Sequence, residues 1–244
     1  MVPEQKISEF VIRLRDAAGA NLQSVVLYGS AAASDFVPAH SDVNLLCVLG
    51  ETSFAAILAL APAVQWWAKQ KHRSPLLMTA EELRCGADVF SIEFLDMQQR
   101  HRVLWGDDVL KTLHIPMHLH RAQLEYELRE KTILLRQQLL MTGDDAARWE
   151  LLLRSLPAFA TLFRHALLAM NQPPAATKRE AGQRLAGKLG LDPAAFLQLL
   201  DIREGKVDKK SANVAALFAG YLNCVEQVTA AVDRMLDSSA PQKT

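Results

Sequence analysis

Residues 27–46 read LYGSAAASDFVPAHSDVNLL, and the fold turns on how this stretch is divided. Ser24-Val25-Val26-Leu27-Tyr28 is β-rich and stops at Gly29-Ser30, while Asp42 to Leu49 is a second, longer apolar run stopped by Gly50. Two neighbouring strands of one sheet are predicted. A strand that ends in Gly-Ser and turns into a short helix offers backbone N–H groups and a hydroxyl where a phosphate can sit. In the second run Asp42 and Asn44 are two apart and project from one face, with Val43, Leu45 and Cys47 on the other. Polar on one side and apolar on the other is the pattern of a half-buried strand at a site.

Working outward, Ile7, Phe10, Val11 and Leu14 recur at helical spacing, so residues 6–18 are predicted as an amphipathic helix. Residues 53–71 are Ala- and Leu-rich and helical in bias, with Pro62 placed to divide them. Leu76-Leu77-Met78 and Val89 to Leu95 read as two further strands, separated by a polar turn at Thr79-Ala80-Glu81-Glu82. After Ile115-Pro116 the strand signal ends, and helical patterns follow at roughly 118–141, 145–170, 178–190, 193–202 and 211–236. Thr177 with Glu180 forms a capping-box pattern, and Asp192-Pro193 is an N-cap followed by proline. Pro157 is expected to bend the second of these helices. The last carries Val214, Leu217, Tyr221, Val225, Val228, Val232 and Leu236 as one stripe, which argues for packing in a bundle. The fold class is therefore α+β: a mixed sheet with flanking helices over residues 1–112, a helical bundle over 113–237, and a flexible tail at 238–244.

With these residues in place, the sequence resembles the polymerase-beta-like nucleotidyltransferase superfamily, in particular the small bacterial branch of aminoglycoside adenylyltransferases and minimal nucleotidyltransferases. The family pattern is an apolar residue, Gly, Gly or Ser, a spacer of roughly ten residues, then Asp, an apolar residue, and Asp or Glu. Gly29-Ser30, an eleven-residue spacer and Asp42-Val43 fit it, whereas Asn44 stands where a second carboxylate is expected. The resemblance is specific over about residues 24–49 and architectural beyond residue 110, where a helical bundle is similar to the second domain of the kanamycin-type enzymes.

The resemblance implies that Gly29 and Ser30 cradle the phosphates of an NTP. It also implies that paired carboxylates, with a third on a neighbouring strand, hold two Mg²⁺ ions for in-line attack by a hydroxyl on the α-phosphorus. Asp42 supplies one ligand. Glu93, read as mid-strand, is the first choice for the third acid, with Asp88 and Asp96 bracketing the same segment as alternatives. Asn44 can offer a metal an amide oxygen but no charge, so one Mg²⁺ held by Asp42, Glu93 and the nucleotide suits this set better than two. Two functions stay open. One is Mg²⁺-dependent transfer of a nucleoside monophosphate, from ATP in the first instance, to a hydroxyl of a small molecule or protein. The other is a catalytically degenerate module that uses the fold to bind nucleotide or another protein, a homodimer included.

Other chemistry-bearing residues have plainer readings. His114, His118 and His120 lack a Cys or Glu at close spacing to complete a zinc set. Trp66-Trp67 and Trp105 read as core or interface anchors. Glu125, Glu127 and Glu130 alternate with Arg129 and Lys131 as a solvated helix face, although a glutamate from this region is the general base in the aminoglycoside enzymes. Lys178, Arg179, Arg184 and Lys188 form a basic face, and Arg100-His101-Arg102 is nearer the expected site for phosphate contact. The 27 Lys+Arg balance 27 Asp+Glu, which disfavours a long nucleic acid or an anionic membrane as partner. That zero is a cancellation: residues 1–112 hold ten basic against thirteen acidic side chains, and the remainder the reverse excess. Three dispersed cysteines and charges in the first ten residues point to a reducing, cytoplasmic setting, with no apolar run of membrane-spanning length expected.

Overall fold

A computed structural model describes residues 2–32 and 42–237, in two compact units that part between His118 and Leu119. The first unit opens with α1 (Glu4–Ala18), followed by β1 (Leu22–Tyr28) and β2 (Asn44–Leu49). Two helices follow, α2 (Phe54–Ala59) and α3 (Ala61–Lys69), divided as Pro62 requires, with that proline in the first turn of α3. Next come β3 (Leu76–Thr79), α4 (Ala80–Cys85), α5 (Ser91–Gln99) and β4 (His101–Gly106). The strands form one mixed sheet in the order β3-β2-β1-β4, with β1 antiparallel to both neighbours and β2 parallel to β3.

Both faces of the sheet are covered. Val25, Leu27, Leu45, Cys47 and Leu49 pack under α1 and α3, against Ile7, Phe10, Leu14 and Trp67. Val26, Leu46 and Val48 face the other way, into a second layer built by Leu83, Phe94, Met97, Leu110 and Ile115. This corrects the expectation of a strand polar on one side, because in β2 only Asn44 at the open end escapes full burial. It also corrects the strand expected at residues 89–95. Ser91, Ile92, Phe94 and Met97 are buried along one side of a helix, since a sheet with apolar residues on both faces needs a cover that an edge strand cannot give. The strand that completes the sheet is β4, over residues for which the sequence predicts no element. The expected turn at Thr79 is a helix start: the Thr79 hydroxyl accepts from the Glu82 N–H at 3.0 Å, and the Glu82 carboxylate accepts from the Thr79 N–H at 2.7 Å.

The second unit is all helical: α6 (His120–Leu140), α7 (Asp145–Ala169), α8 (Lys178–Leu189), α9 (Ala194–Arg203) and α10 (Val214–Asp237). The Thr177 hydroxyl caps α8 by accepting from the Glu180 N–H at 3.1 Å. Pro157 lies inside α7 without ending it. Proline has no N–H for the Leu153 carbonyl four residues back, and Arg203 fills the gap by donating from Nη1 at 2.7 Å. α7 and the Val214–Met235 segment are long and apolar enough to cross a membrane by length and composition, contrary to the sequence expectation. Their most apolar windows are 61% and 50% buried in the bundle, whose central helices need apolar side chains on most of their faces. Cys47 and Cys224 are buried and Cys85 is exposed, all as free thiols.

Two buried histidines, His120 and His165, lie with ring centroids 5.1 Å apart between α6 and α7. Burial, and then the neighbouring His165, lowers the His120 pKa to about 4. An unfolded chain takes up a proton near pH 6.5, whereas the folded one resists it. The stability that His120 contributes is therefore complete above about pH 6.5 and is lost as pH falls through about 4, a loss of about 3 kcal/mol. Urea titrations of the second unit, followed through Trp149 fluorescence, should show the midpoint dropping over this window in the wild type and flattened in His120→Gln. Equal slopes for the two proteins would contradict the assignment.

Candidate functional site

The end of β1 is built by its register. Tyr28 pairs with Asn44 on β2 and with His101 on β4, so these three residues form one row across the sheet edge. The chain then turns at Gly29, whose φ of +77° is a left-handed conformation that favours glycine. Its N–H donates to the Arg100 carbonyl at 2.9 Å, and a single 3₁₀ turn carries Ser30 to Ala32. A Cβ at position 29 would lie 3.4 Å from Asn44 Nδ2, so the glycine turn and the strand-opening amide are packed side by side. Ser30, in that turn, is half-buried. Residues 33–41, which carry the spacer from this turn towards Asp42, lie outside the described residues, as does the expected tail at 238–244.

Asp42 stands two residues before β2, and its Oδ2 is 3.2 Å from Arg73 Nε; the side chains are 54% and 78% exposed respectively. His72, the residue before Arg73, stacks on Trp67 at 4.1 Å between ring centroids. Burial lowers the His72 pKa and Lys6 lowers it further, while Asp42 acts in the opposite sense. Arg73 pairs with Asp42, and His72 lies near both Asp42 and Lys6. Sequence reading missed Arg73. Its signal was the basic run Lys69, Lys71, His72, Arg73, placed directly ahead of β3.

The remaining residues singled out from sequence are brought elsewhere. Glu93 is exposed on the first turn of α5, which removes the mid-strand placement that made it the preferred third acid. Asp96 is on the same helix and Asp88 is in the turn before it. β4, the strand that does flank β1, has no acidic residue between His101 and Gly106. His101 is spoken for: Nε2 lies 2.9 Å from Asp108 Oδ1, and Nδ1 lies 3.1 Å from the Gln98 carbonyl. Arg102 donates to both carboxylate oxygens of Glu4 at 2.8 Å. In the second unit Glu125 accepts from Arg129 at 2.6 Å, Glu127 pairs with Lys131, and Arg179 pairs with Asp201 at 2.6 Å. The Glu125 and Glu127 side chains are only 15% and 21% exposed, so these pairs lie on partly covered helix faces and not on the fully solvated ones expected.

The fit of this site to divalent metal follows from the same geometry. Among the described residues no group of three or more His, Cys, Asp or Glu side chains is gathered around a common point. Among the described residues the strand end offers one carboxylate, already paired with a guanidinium, and one neutral amide. Two dications bound to a triphosphate need several anionic oxygens, and this donor set does not supply them.

No protein-family model and no curated protein sequence matches this chain. Among solved structures it is similar to the spectinomycin adenyltransferase AAD(9) from Enterococcus faecialis, crystallised with ATP and spectinomycin. That match has a TM-score of 0.57 and 14% identity, and covers 91% of this chain and 99% of the other. A toxin–antitoxin complex with AMP-PNP matches over 41% of this chain and 74% of the other, at 17% identity and a TM-score of 0.30. The first of these likenesses shows a shared fold, an α+β unit followed by a helical one.

Proposed function

We propose that this chain is a nucleotidyltransferase-fold protein that binds a nucleoside triphosphate, ATP in the first instance, at the Gly29-Ser30 turn without metal-dependent transfer. The observation that carries this reading is the pairing of Asp42 with Arg73 beside a neutral Asn44. A site so arranged keeps a shaped turn and a hydroxyl for phosphate while the anionic cage for Mg²⁺ is missing. Such a protein sequesters or senses a nucleotide, or presents it to a protein partner.

The second reading is the enzyme: transfer of a nucleoside monophosphate to a hydroxyl on a small molecule or protein, with Asp42 and Glu93 as Mg²⁺ ligands. The likeness to an adenyltransferase crystallised with ATP and an acceptor favours it.

Calorimetric titration of ATP separates the two. The binding reading expects similar affinities in EDTA and in Mg²⁺, and a loss of at least about tenfold in Ser30→Asp, where a carboxylate meets the phosphates. Binding that appears only with Mg²⁺ and vanishes in both Asp42→Ala and Glu93→Ala establishes the transferase reading. Absence of heat under either condition rules out both.

A further inference from the structure

We infer that Arg73 occupies the cation position of this strand end, so that a guanidinium, and not a divalent ion, meets the phosphates of a bound nucleotide. The ligand in this statement rests on the nucleotide-binding reading above; the occupation of the cation position does not.

Topology brings the two side chains together. β2 and β3 run parallel with Leu46 opposite Leu76, so their lead-in segments approach the sheet side by side. Asp42 stands four residues before Leu46 and Arg73 three residues before Leu76, which sets the pair within one register step of each other. The lead-in to β3 is anchored rather than loose: Lys71 takes a left-handed φ of +65°, and His72 stacks on Trp67, itself stacked on Phe10 at 4.6 Å. Arg73 therefore leaves a fixed backbone towards the oxygen that a metal would take.

Charge then decides which ion the position accepts. Among the described residues Asp42 is the one carboxylate at this end of β2, and Arg73 neutralises it, with His72 close by. A dication entering here meets a guanidinium at the carboxylate it needs, and Asn44 adds no negative charge to hold it. A polyphosphate meets the opposite field. The guanidinium presents planar, paired N–H donors suited to phosphate oxygens. Its present pairing is solvent-exposed and so weakly held. Asp42 is consequently a competitor for Arg73, which reverses the role a metal ligand would have.

The test reads metal and nucleotide separately. With Mn²⁺ followed by electron paramagnetic resonance, wild type should leave the ion free, and the double variant Arg73→Ala, Asn44→Asp should bind it. Calorimetry with ATP in EDTA should show binding weakened by at least about tenfold in Arg73→Ala and less in Arg73→Lys, and tightened several-fold in Asp42→Asn. Arg73 and Asp42 are exposed and Asn44 is half-buried, and unchanged melting temperatures confirm that the variants fold. Wild-type Mn²⁺ binding that disappears in Asp42→Asn overturns the inference, as does a double variant that still excludes Mn²⁺. ATP binding untouched by Arg73→Ala also overturns it, while leaving the nucleotide reading standing. Should no variant bind ATP, yet wild type exclude Mn²⁺ and the double variant admit it, the nucleotide reading falls and the position of Arg73 is upheld.

Discussion

Gly106→Ala is expected to destabilise the first unit by about 3 kcal/mol or more, enough to prevent folding in a unit of ordinary stability. Gly106 closes β4 opposite Ser24, beside the register shift between Val25 and Val26. Its φ is +75°, and an added Cβ would come within 2.0 Å of the Gln23 carbonyl oxygen and 2.9 Å of the Ser24 Cα. Those neighbours are backbone of β1, the central strand, so relief would require opening the sheet. Gly143→Ala is the control, because a Cβ there meets nothing within 4 Å and the backbone is not left-handed. Urea denaturation followed by tryptophan fluorescence should show a large drop in midpoint for Gly106→Ala and a change within about 0.5 kcal/mol for Gly143→Ala. Equal midpoints would mean that the β1–β4 pairing tolerates a shift that the geometry forbids.

Trp67→Ala should lose about 3–5 kcal/mol from the same unit. Trp67 is fully buried, stacked on Phe10 at 4.6 Å with an interplanar angle of 6°, and on His72 at 4.1 Å. Removing the indole opens a cavity between α1 and α3 that the sheet behind cannot fill. Trp67→Phe should be much milder, since it keeps a stacking ring and deletes an indole Nε1–H that is buried without a hydrogen-bond partner among the described residues. Thermal melts of the two variants should therefore differ by several degrees, with alanine the lower. A side effect ties stability to the site: without the Trp67 ring beneath it, His72 loses its platform and Arg73 its fixed approach to Asp42.

Much of this fold was legible. β1, β2, β3, α1 and every helix of the second unit lie within a few residues of their expected bounds, because periodicity and punctuation agree there: Gly29 and Gly50 end strands, Pro62 divides helices, and Thr177 starts one. The failures share a cause. Val89 to Leu95 alternates well enough for a strand, yet Phe94 and Met97 are claimed by the second face of the sheet, a tertiary demand with no local signature. Mistaking α5 for a strand then hid β4, whose His101 and Arg102 read as candidates for phosphate contact although Val103 and Trp105 carry the alternation. Thr79 and Glu82 were legible in principle, since they repeat the Thr177 and Glu180 pattern. At the site, Gly29, Asp42 and Asn44 came from sequence spacing. Arg73 did not, because its nearness to Asp42 exists only once β2 and β3 are laid parallel.

Asn44 keeps the outline of an aspartate. Its amide sits against Gly29 in a volume that a carboxylate would fill equally well, and its partner across the strand, Tyr28, is the same for either side chain. The packing around position 44 thus accepts either side chain, while the ions that the strand end admits depend on residue 44 and on Arg73 together. A change at residue 44 alone takes a single base of the codon, yet it leaves the guanidinium in place, so divalent-metal binding here is controlled by two positions, one opening β2 and one in the lead-in to β3.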